Sequence, residues 1–400
     1  MPESGGDYLY IDRALGPMIG TIAGIGAWFS LVFKSAFALV GLGAYLLLFA
    51  PLGAGQIKIV GIALAVLIVL LNISGTELTG QAQAVVVSIV VIGLAAYVGN
   101  TALLASGGTG GAEFARLSGM FEAGSMGIVT AAAFVFVSYA GVTKVASIAE
   151  EIKDPGKNIP RGILGSLAIM SVVYIGVIGS IVVLNDPENL LHGAAHGASL
   201  TPMADGASAL FGGAGVVLIS IIAVVALTSM ANAGVLASSR FPLAMSRDDL
   251  LPPFLTAIDP RFMTPRNSIL VTGAALILLI AFVPVISLAK MASAFIMFVL
   301  SIINLALIAF READIEDYDP DFRSPGYPFV QIAGTLAGFF MIAQLGTFPI
   351  LGALGITVGG ALIYFGYGRR RVDRTSAFAI ARGRVDRDGD ESVLSTTDIE

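Results

Sequence analysis

Long stretches of apolar residues constrain the fold of this chain more than any other feature of its sequence. A helix that crosses a membrane needs about 20 mostly apolar residues, and ten segments of the chain have this character. The pattern therefore predicts an all-α integral membrane protein. The ten predicted helices span residues 17–48, 57–73, 82–105, 127–149, 162–184, 209–238, 267–284, 287–310, 328–346 and 348–367.

The composition indicates that lipid is the main solvent of the chain. Charged residues make up only 12% of the sequence, against about 25% in a typical soluble domain, and the mean hydropathy is +0.88. The 48 glycines are typical of packed membrane helices, where small side chains let backbones approach closely. Cysteine is absent, which excludes disulfides, thiolate metal sites and a thiol nucleophile.

The distribution of lysine and arginine predicts the orientation of the helices. Cytoplasmic loops of membrane proteins carry an excess of these residues, so we expect a multi-pass protein of the cell membrane with both termini in the cytoplasm. Only Lys58 and Arg116 then fall in outer loops. The inner loops and the tail hold Arg13, Lys153, Lys157, Arg161, Arg240, Arg247, Arg261, Arg266, Arg311, Arg323 and the seven arginines from Arg369 onward.

The chain divides into two parts at the end of the last apolar segment. Residues 1–368 are predicted to form one transmembrane domain. The remainder contains RRRVDR and then DRDGDESVLSTTDIE, which has too few apolar residues to form a core. Residues 369–400 are therefore predicted to be a disordered cytoplasmic tail.

The most informative segment reads VTAAAFVFVSYAGVTKVASIAEEIKDPGKNIPR. Its apolar run is interrupted by a small, polar patch that ends in Gly141, a residue type that weakens helices. A non-helical stretch at membrane depth persists only inside protein or beside a wet cavity. The ends of two half-helices expose N–H and C=O groups that suit a ligand with one carboxylate and one ammonium. Close helix packing at Gly141 is the alternative. We expect the helix to resume and then to be stopped by Asp154 and Pro155.

Polar side chains in two other segments are candidates for ion coupling. Thr228 and Ser229 offer oxygen ligands for Na⁺, although hydroxyls in apolar helices usually bond to their own backbone. Lys34 is flanked by apolar residues, and a charge inside a membrane indicates a functional site. Burial favours the neutral form of an amine, so Lys34 is a candidate for proton coupling. A structural ammonium bonded to carbonyl oxygens is the alternative.

We expect no enzyme activity, no cofactor, no metal and no nucleic-acid partner. His192 and His196 have the i, i+4 spacing of a metal-binding pair, but they fall in a glycine-rich outer loop without an acid in the same turn. The apolar segments carry no serine–histidine pair and no paired aspartates at membrane depth. An intramembrane hydrolase is therefore the weaker interpretation.

Four stretches together resemble the amino acid–polyamine–organocation (APC) permeases. SYAGVTKVASIAEEIKDPGKNIPRGI is similar to that family's sixth helix and the loop behind it. SSRFPLAMSRDDLLPPFLTAIDPRFMTPRNSIL resembles the loop after the eighth helix. INLALIAFRE resembles the end of the tenth helix, and PESGGDYLYIDRALGP the linker after the second. The matches occur in family order and cover essentially residues 1–368.

The resemblance implies a leucine-transporter-like helical bundle. The ten segments would correspond to helices 3–12 of a twelve-helix fold. The opening PESGGDYLYIDRALG then reads as an internal cytoplasmic linker, so the first helix and most of the second are expected to be missing. We favour a lost or misassigned N-terminus as the reason, and a degenerate protein that no longer transports is the alternative.

The resemblance also implies a function and a substrate site. We expect a secondary active transporter that moves amino acids or related amines by alternating access. A non-transporting sensor or partner subunit is the alternative. The phenylalanines and the tyrosine at the site favour an apolar or aromatic substrate side chain. The implied site residues are Phe134, Phe136, Ser138, Tyr139, Ala140 and Gly141.

The chain departs from the family pattern at two functional positions. Proton-coupled relatives carry a lysine in the fifth helix, where this chain has Gly93. Lys34, or Na⁺ held by Thr228 and Ser229, would then supply the coupling, unless substrates are exchanged without an ion. Some members carry an acid where this chain has Thr143, which argues against specialised handling of cationic amino acids.

Overall fold

The computed structural model is helical throughout the part of the chain that it describes. That part comprises residues 7–49, 56–75, 80–106, 115–142, 152–186, 188, 190, 199–313, 322–372 and 376–381. The α-helices in chain order are α1 (Asp7–Leu15), α2 (Pro17–Leu47), α3 (Ile57–Ile73), α4 (Gly80–Ser106), α5 (Gly124–Val135), α6 (Pro155–Leu184), α7 (Pro202–Arg247), α8 (Arg266–Phe282), α9 (Val285–Glu312), α10 (Phe329–Gln344), α11 (Thr347–Gly366) and α12 (Ala377–Ala381).

Helices α2 to α11 correspond one by one to the ten predicted apolar segments. Six of the ten are long and apolar enough to cross a membrane, and the other four are shorter apolar helices. Short 3₁₀ turns at Arg116–Phe121, Phe136–Tyr139, Pro253–Thr256 and Gly368–Arg370 lie between or after them. The prediction of an all-α, multi-pass membrane bundle is confirmed.

Helix α2 lies at the centre of the bundle. It packs most extensively against α7 and α9, and it also contacts α1, α3, α8 and α11. In its most apolar stretch 67% of the residues are buried, compared with 11% in α4 and in α6. The bundle is therefore organised around α2, while α4 and α6 lie at its periphery.

Aromatic side chains form the contact between α2 and α9. Phe33 meets Phe295 edge-on, with ring centroids 5.4 Å apart, and Phe29 lies 6.2 Å from Phe295. Hydrogen bonds reinforce this contact: Ser30 Oγ donates to the Ala292 carbonyl at 3.2 Å. Because Phe295 is only 2% exposed, the α2–α9 contact belongs to the buried core.

Helix α7 is longer than predicted and is broken near its start. It extends over Pro202–Arg247, whereas the sequence predicted residues 209–238. Gly212 has a positive φ of 59°, outside the helical range, a conformation that glycine adopts without the steric cost of a Cβ. Residues 202–211 therefore form a separate short helical piece that leads into the main span.

The motif around Pro155, which was predicted to stop a helix, begins one in the structure. Asp154 has a φ of 50° and precedes Pro155 at the first position of α6. Proline is favoured there because its missing N–H would have no partner in the first turn anyway. The predicted start of this helix at residue 162 was therefore seven residues late.

The two polar ends of the chain pack against each other. The motif DYLYIDRAL forms α1, in which Tyr8 is fully buried and its hydroxyl hydrogen bonds to the Asp248 carboxylate. Helix α12 contacts both α1 and α9. Its first residue, Ala377, is fully buried, so residues 376–381 depart from the disorder predicted after residue 368.

Candidate functional site

The α-helix ends at the segment where the sequence predicted an interruption. α5 ends at Val135, a 3₁₀ turn occupies Phe136–Tyr139, and Ala140 and Gly141 form a turn after it. The Ala140 N–H donates to the Val137 carbonyl at 3.1 Å. We call residues 136–141 the break. The prediction that the α-helix is not continuous here is confirmed, while Thr143 and the expected second half-helix lie outside the described residues.

Helix α9 holds one side of the break through a serine hydroxyl. Ser293 Oγ accepts a hydrogen bond from the Val137 N–H at 2.9 Å and donates one to the Phe134 carbonyl at 2.8 Å. Ser293 and Ala133 are fully buried. A single hydroxyl of α9 thus bonds to the first turn of the break, at Val137, and to the last turn of α5, at Phe134.

Helix α6 contributes two hydroxyl-bearing side chains on another side. The Tyr139 hydroxyl lies 3.2 Å from Ser171 Oγ, and the Tyr174 hydroxyl donates to the Ser138 carbonyl at 3.3 Å. The rings of Tyr139 and Tyr174 meet edge-on with centroids 5.4 Å apart. The orientation of the Tyr139 ring is therefore set by contacts from α6.

Helix α2 brings a cation to the break. Lys34 Nζ lies 3.7 Å from the point where a Cβ on Gly141 would stand. This distance is an ordinary van der Waals contact, so Lys34 lies directly beside Gly141. The structure thus unites Lys34 with the predicted substrate segment, although the two are more than a hundred residues apart in the chain.

The predicted site residues differ in how much of their surface is accessible. Ser138 and Gly141 are exposed, and Tyr139 is half-buried. Ala140 is buried, and Phe134 and Phe136 pack partly buried against the main core. The break therefore presents backbone and small side chains on one side and is anchored by aromatic packing on the other.

The second pair of predicted coupling residues belongs to a different cluster. Ser229 Oγ lies 3.0 Å from Gln83 Nε2 and 3.1 Å from Gln83 Oε1, so the hydroxyl pairs with an amide of α4. One turn further along α7, Asn232 Oδ1 accepts from Asn72 Nδ2 at 2.7 Å. Among the described residues, neither Thr228 nor Ser229 hydrogen bonds to the break.

The described residues contain no cluster of three or more histidine, cysteine, aspartate or glutamate side chains that could hold a metal. His192 and His196 lie outside the described residues.

At the position of the absent fifth-helix lysine, a Cβ on Gly93 would lie 2.5 Å from Ile222 Cδ1. The space beside Gly93 is thus filled by an apolar side chain of α7.

A sequence comparison identifies the family. The model of the amino acid permease family matches residues 1–365. This chain belongs to the amino acid permease family. The match extends over all ten apolar helices, so the permease resemblance inferred from the four motifs is confirmed.

Several transporters are similar to this permease family member. An uncharacterised transporter of Mycobacterium tuberculosis is 31% identical over 280 residues, which cover 70% of this chain and 60% of the relative. The branched-chain amino acid permease BcaP of Bacillus subtilis is 32% identical over 244 residues, or 61% of this chain and 51% of the relative. BcaP of Lactococcus lactis is 27% identical over 402 residues, or 93% and 82%. The alignments with the first two relatives thus cover less than two thirds of their length.

The sequence predicted the break of this permease but not the residues of other helices that hydrogen bond to it. Ser293, Ser171 and Tyr174 lie in apolar helices, where hydroxyls usually bond to their own backbone. The one available signal was the small-residue run around Ser293, MASA, because small residues mark close contacts between membrane helices. Gln83 likewise gave no sign of its pairing with Ser229.

Proposed function

We propose that the protein is a secondary active transporter that moves amino acids across the cell membrane by alternating access. The single observation that carries this proposal is the break at residues 136–141, where the apolar helix α5 gives way to a 3₁₀ turn. Exposed backbone groups at such a break bind zwitterions, because half-helix ends carry partial charges. The family match and the names of the relatives point in the same direction.

The proposed substrate is an amino acid with an apolar side chain. Its charged groups would meet the backbone around Ser138 and Gly141, and its side chain would face Phe134, Phe136 and Tyr139. Two relatives are named branched-chain amino acid permeases, and leucine fits an aromatic and apolar lining. No catalytic step is part of the proposed cycle.

Coupling is assigned to Lys34 rather than to Thr228 and Ser229. Lys34 Nζ lies beside Gly141, so a change of its charge acts directly on the bound zwitterion. Ser229 is engaged with Gln83 on the α4 side of α7, away from the break. H⁺ is therefore the proposed coupling ion, and Na⁺ is the other outcome of the test.

The proposed orientation puts both termini in the cytoplasm. Helices α1 and α12 contact each other, so the two ends of the described chain share one face of the bundle. The predicted inner loops and the tail hold all the arginines but Arg116, in line with the bias of cytoplasmic loops. Residues 1–368 would be the permease domain, and residues 369–400 the cytoplasmic tail.

Uptake into proteoliposomes tests the substrate proposal. The full chain is reconstituted and offered a panel of labelled amino acids, and we expect saturable uptake of leucine. Tyr139→Phe removes the hydroxyl that contacts Ser171, so the KM for leucine should rise about fivefold, as expected for one lost hydrogen bond. Tyr364→Phe, on α11, is the matched control and should leave the KM unchanged. Lack of uptake of every amino acid by the unmodified chain would refute the function.

Separate gradients of H⁺ and Na⁺ test the coupling residue. Lys34→Met keeps the length of the side chain and removes its charge, so uptake should lose its dependence on the pH gradient while exchange of leucine for leucine persists. Ser229→Ala serves as the comparison and should retain the pH dependence. Uptake that instead follows the Na⁺ gradient and fails in Ser229→Ala would reassign coupling to that hydroxyl.

A further inference from the structure

The contact between Ser293 and the break involves an unusual pair of backbone groups. The Val137 N–H and the Phe134 carbonyl are three residues apart, and they are the donor and the acceptor that one 3₁₀ turn would join. Ser293 Oγ bridges them, accepting from Val137 at 2.9 Å and donating to Phe134 at 2.8 Å. A hydroxyl can do both at once because it has one donor and two acceptor positions.

The bridge lies where an unpaired backbone group would be expensive. Val137 is only 9% exposed and Ser293 is fully buried. A buried N–H or C=O without a partner costs more than an ordinary hydrogen bond contributes, because it has lost its water as well. The transition from α-helix to 3₁₀ turn at this depth is therefore supported by a side chain of another helix.

Ser293 differs in this respect from two other buried serines, Ser301 and Ser35. Ser301, two turns further along α9, is also buried, but its hydroxyl bonds to the Met297 carbonyl of its own helix at 2.8 Å. Ser35 of α2 bonds in the same local way to Leu31. Local bonding is the usual behaviour of helical serine. Ser30 also bonds across helices, to the Ala292 carbonyl, but Ser293 bonds to an N–H and a C=O of the neighbouring segment at once.

The neighbours of Ser293 fix it against the centre of the bundle. The preceding residue, Ala292, accepts a hydrogen bond from Ser30 of α2. Two positions later, Phe295 lies in the aromatic contact with Phe33. The Ser293 hydroxyl thus lies next to the buried contact between α2 and α9. In the break itself, Ser138 and Gly141 are exposed.

We propose that Ser293 is a positioning residue, whose hydroxyl holds the break in the conformation that exposes its backbone to the substrate. This inference rests on the proposed function for its link to substrate, but the bridging role is independent of it. Without the bridge, residues 136–141 would lose their fixed 3₁₀ geometry. Leucine would then bind more weakly even though Ser293 does not touch it.

Hydrogen–deuterium exchange on the purified full chain tests the bridge without any substrate. In Ser293→Ala the amides of residues 134–141 should exchange about tenfold faster, because the Val137 N–H loses its partner. Ser301→Ala is the matched control on the same helix and should exchange like the unmodified chain in this segment. Equal exchange in Ser293→Ala and the unmodified chain, or the same increase in Ser301→Ala, would overturn the proposal.

Leucine binding to the same proteins tests the consequence for the site. The Kd of Ser293→Ala should rise about tenfold, and Ser293→Thr, which keeps the hydroxyl, should restore most of the affinity. Ser293→Cys is nearly the same size but hydrogen bonds weakly, so it should give intermediate exchange and affinity even where the alanine variant does not fold.

The two proposals fail in different ways. Faster exchange in Ser293→Ala, with no leucine binding by any protein, would support the bridge and count against the transport function. Tight and equal leucine binding by the unmodified chain and by both Ser293→Ala and Ser293→Cys would support the substrate assignment and overturn the positioning role.

Discussion

Helices α2 and α5 belong to the same membrane bundle but satisfy their polar groups in different ways. In α2 the backbone closes on itself over 31 residues, and hydroxyls such as those of Thr21 and Ser35 bond to carbonyls one turn back. In α5 the backbone loses its α-helical pattern after Val135 and takes partners from α9 and α6. The stability of α2 therefore depends mainly on packing. The conformation of the segment after Val135 depends mainly on hydrogen bonds to other helices.

The difference distinguishes the scaffold of the bundle, represented by α2, from the candidate site at the break. A region whose backbone groups are paired within its own helix can only gain or lose stability when its side chains change, even where side chains such as Ser30 bond to a neighbouring helix. A region that depends on side chains of other helices can change conformation when those helices move. The break has the second property, and α2, at the centre of the bundle, has the first.

Truncation of the buried aromatic contact should have the largest effect. Phe295→Ala removes a ring that is 2% exposed and touches Phe29 and Phe33, and we expect the free energy of unfolding to fall by about 3 kcal/mol. Phe282→Ala, at a position 78% exposed, should change it little. Thermal unfolding in detergent measures both. Equal losses at the two positions would show that the α2–α9 contact is not the core of the bundle.

Removal of one hydrogen bond to the break should have a smaller effect. Tyr174→Phe deletes the hydroxyl that donates to the Ser138 carbonyl, so the free energy of unfolding should fall by about 1 kcal/mol. Ser35→Ala deletes a hydroxyl bonded within α2 and should cost less than about 0.5 kcal/mol, because the carbonyl of Leu31 keeps its helical partner. A larger loss for Ser35→Ala than for Tyr174→Phe would reverse the contrast between the two helices.

The sequence was sufficient to predict the ten apolar helices and the position of the break. Length and hydropathy determine which segments are stable in lipid, and a glycine beside a polar patch indicates where a helix is weak. Pairing between helices could not be predicted in this way. The hydrogen bonds of Ser293 and Ser229 depend on which helices become neighbours, and a serine in an apolar run looks the same whether it bonds locally or across helices.

The proximity of Lys34 to Gly141 is another contact between helices that the sequence could not predict. The sequence singled out both residues, one as an isolated charge and the other as a helix-weakening glycine. Lys34 Nζ lies 3.7 Å from the position of a Cβ built on Gly141, and this proximity follows only from the packing of α2 beside the break. The start of α6 was predicted too late for a local reason, since Asp154 and Pro155 were interpreted as a helix stop and instead begin α6.

The short helix α12 has a practical consequence for anyone who expresses this protein. Ala377 is fully buried, and α12 rests on α1 and α9. A chain truncated at residue 368 would lack α12 and would expose the surface of α1 and α9 that α12 covers. A purification tag or fluorescent reporter is better fused after residue 381, where it leaves the contacts of α12 with α1 and α9 intact.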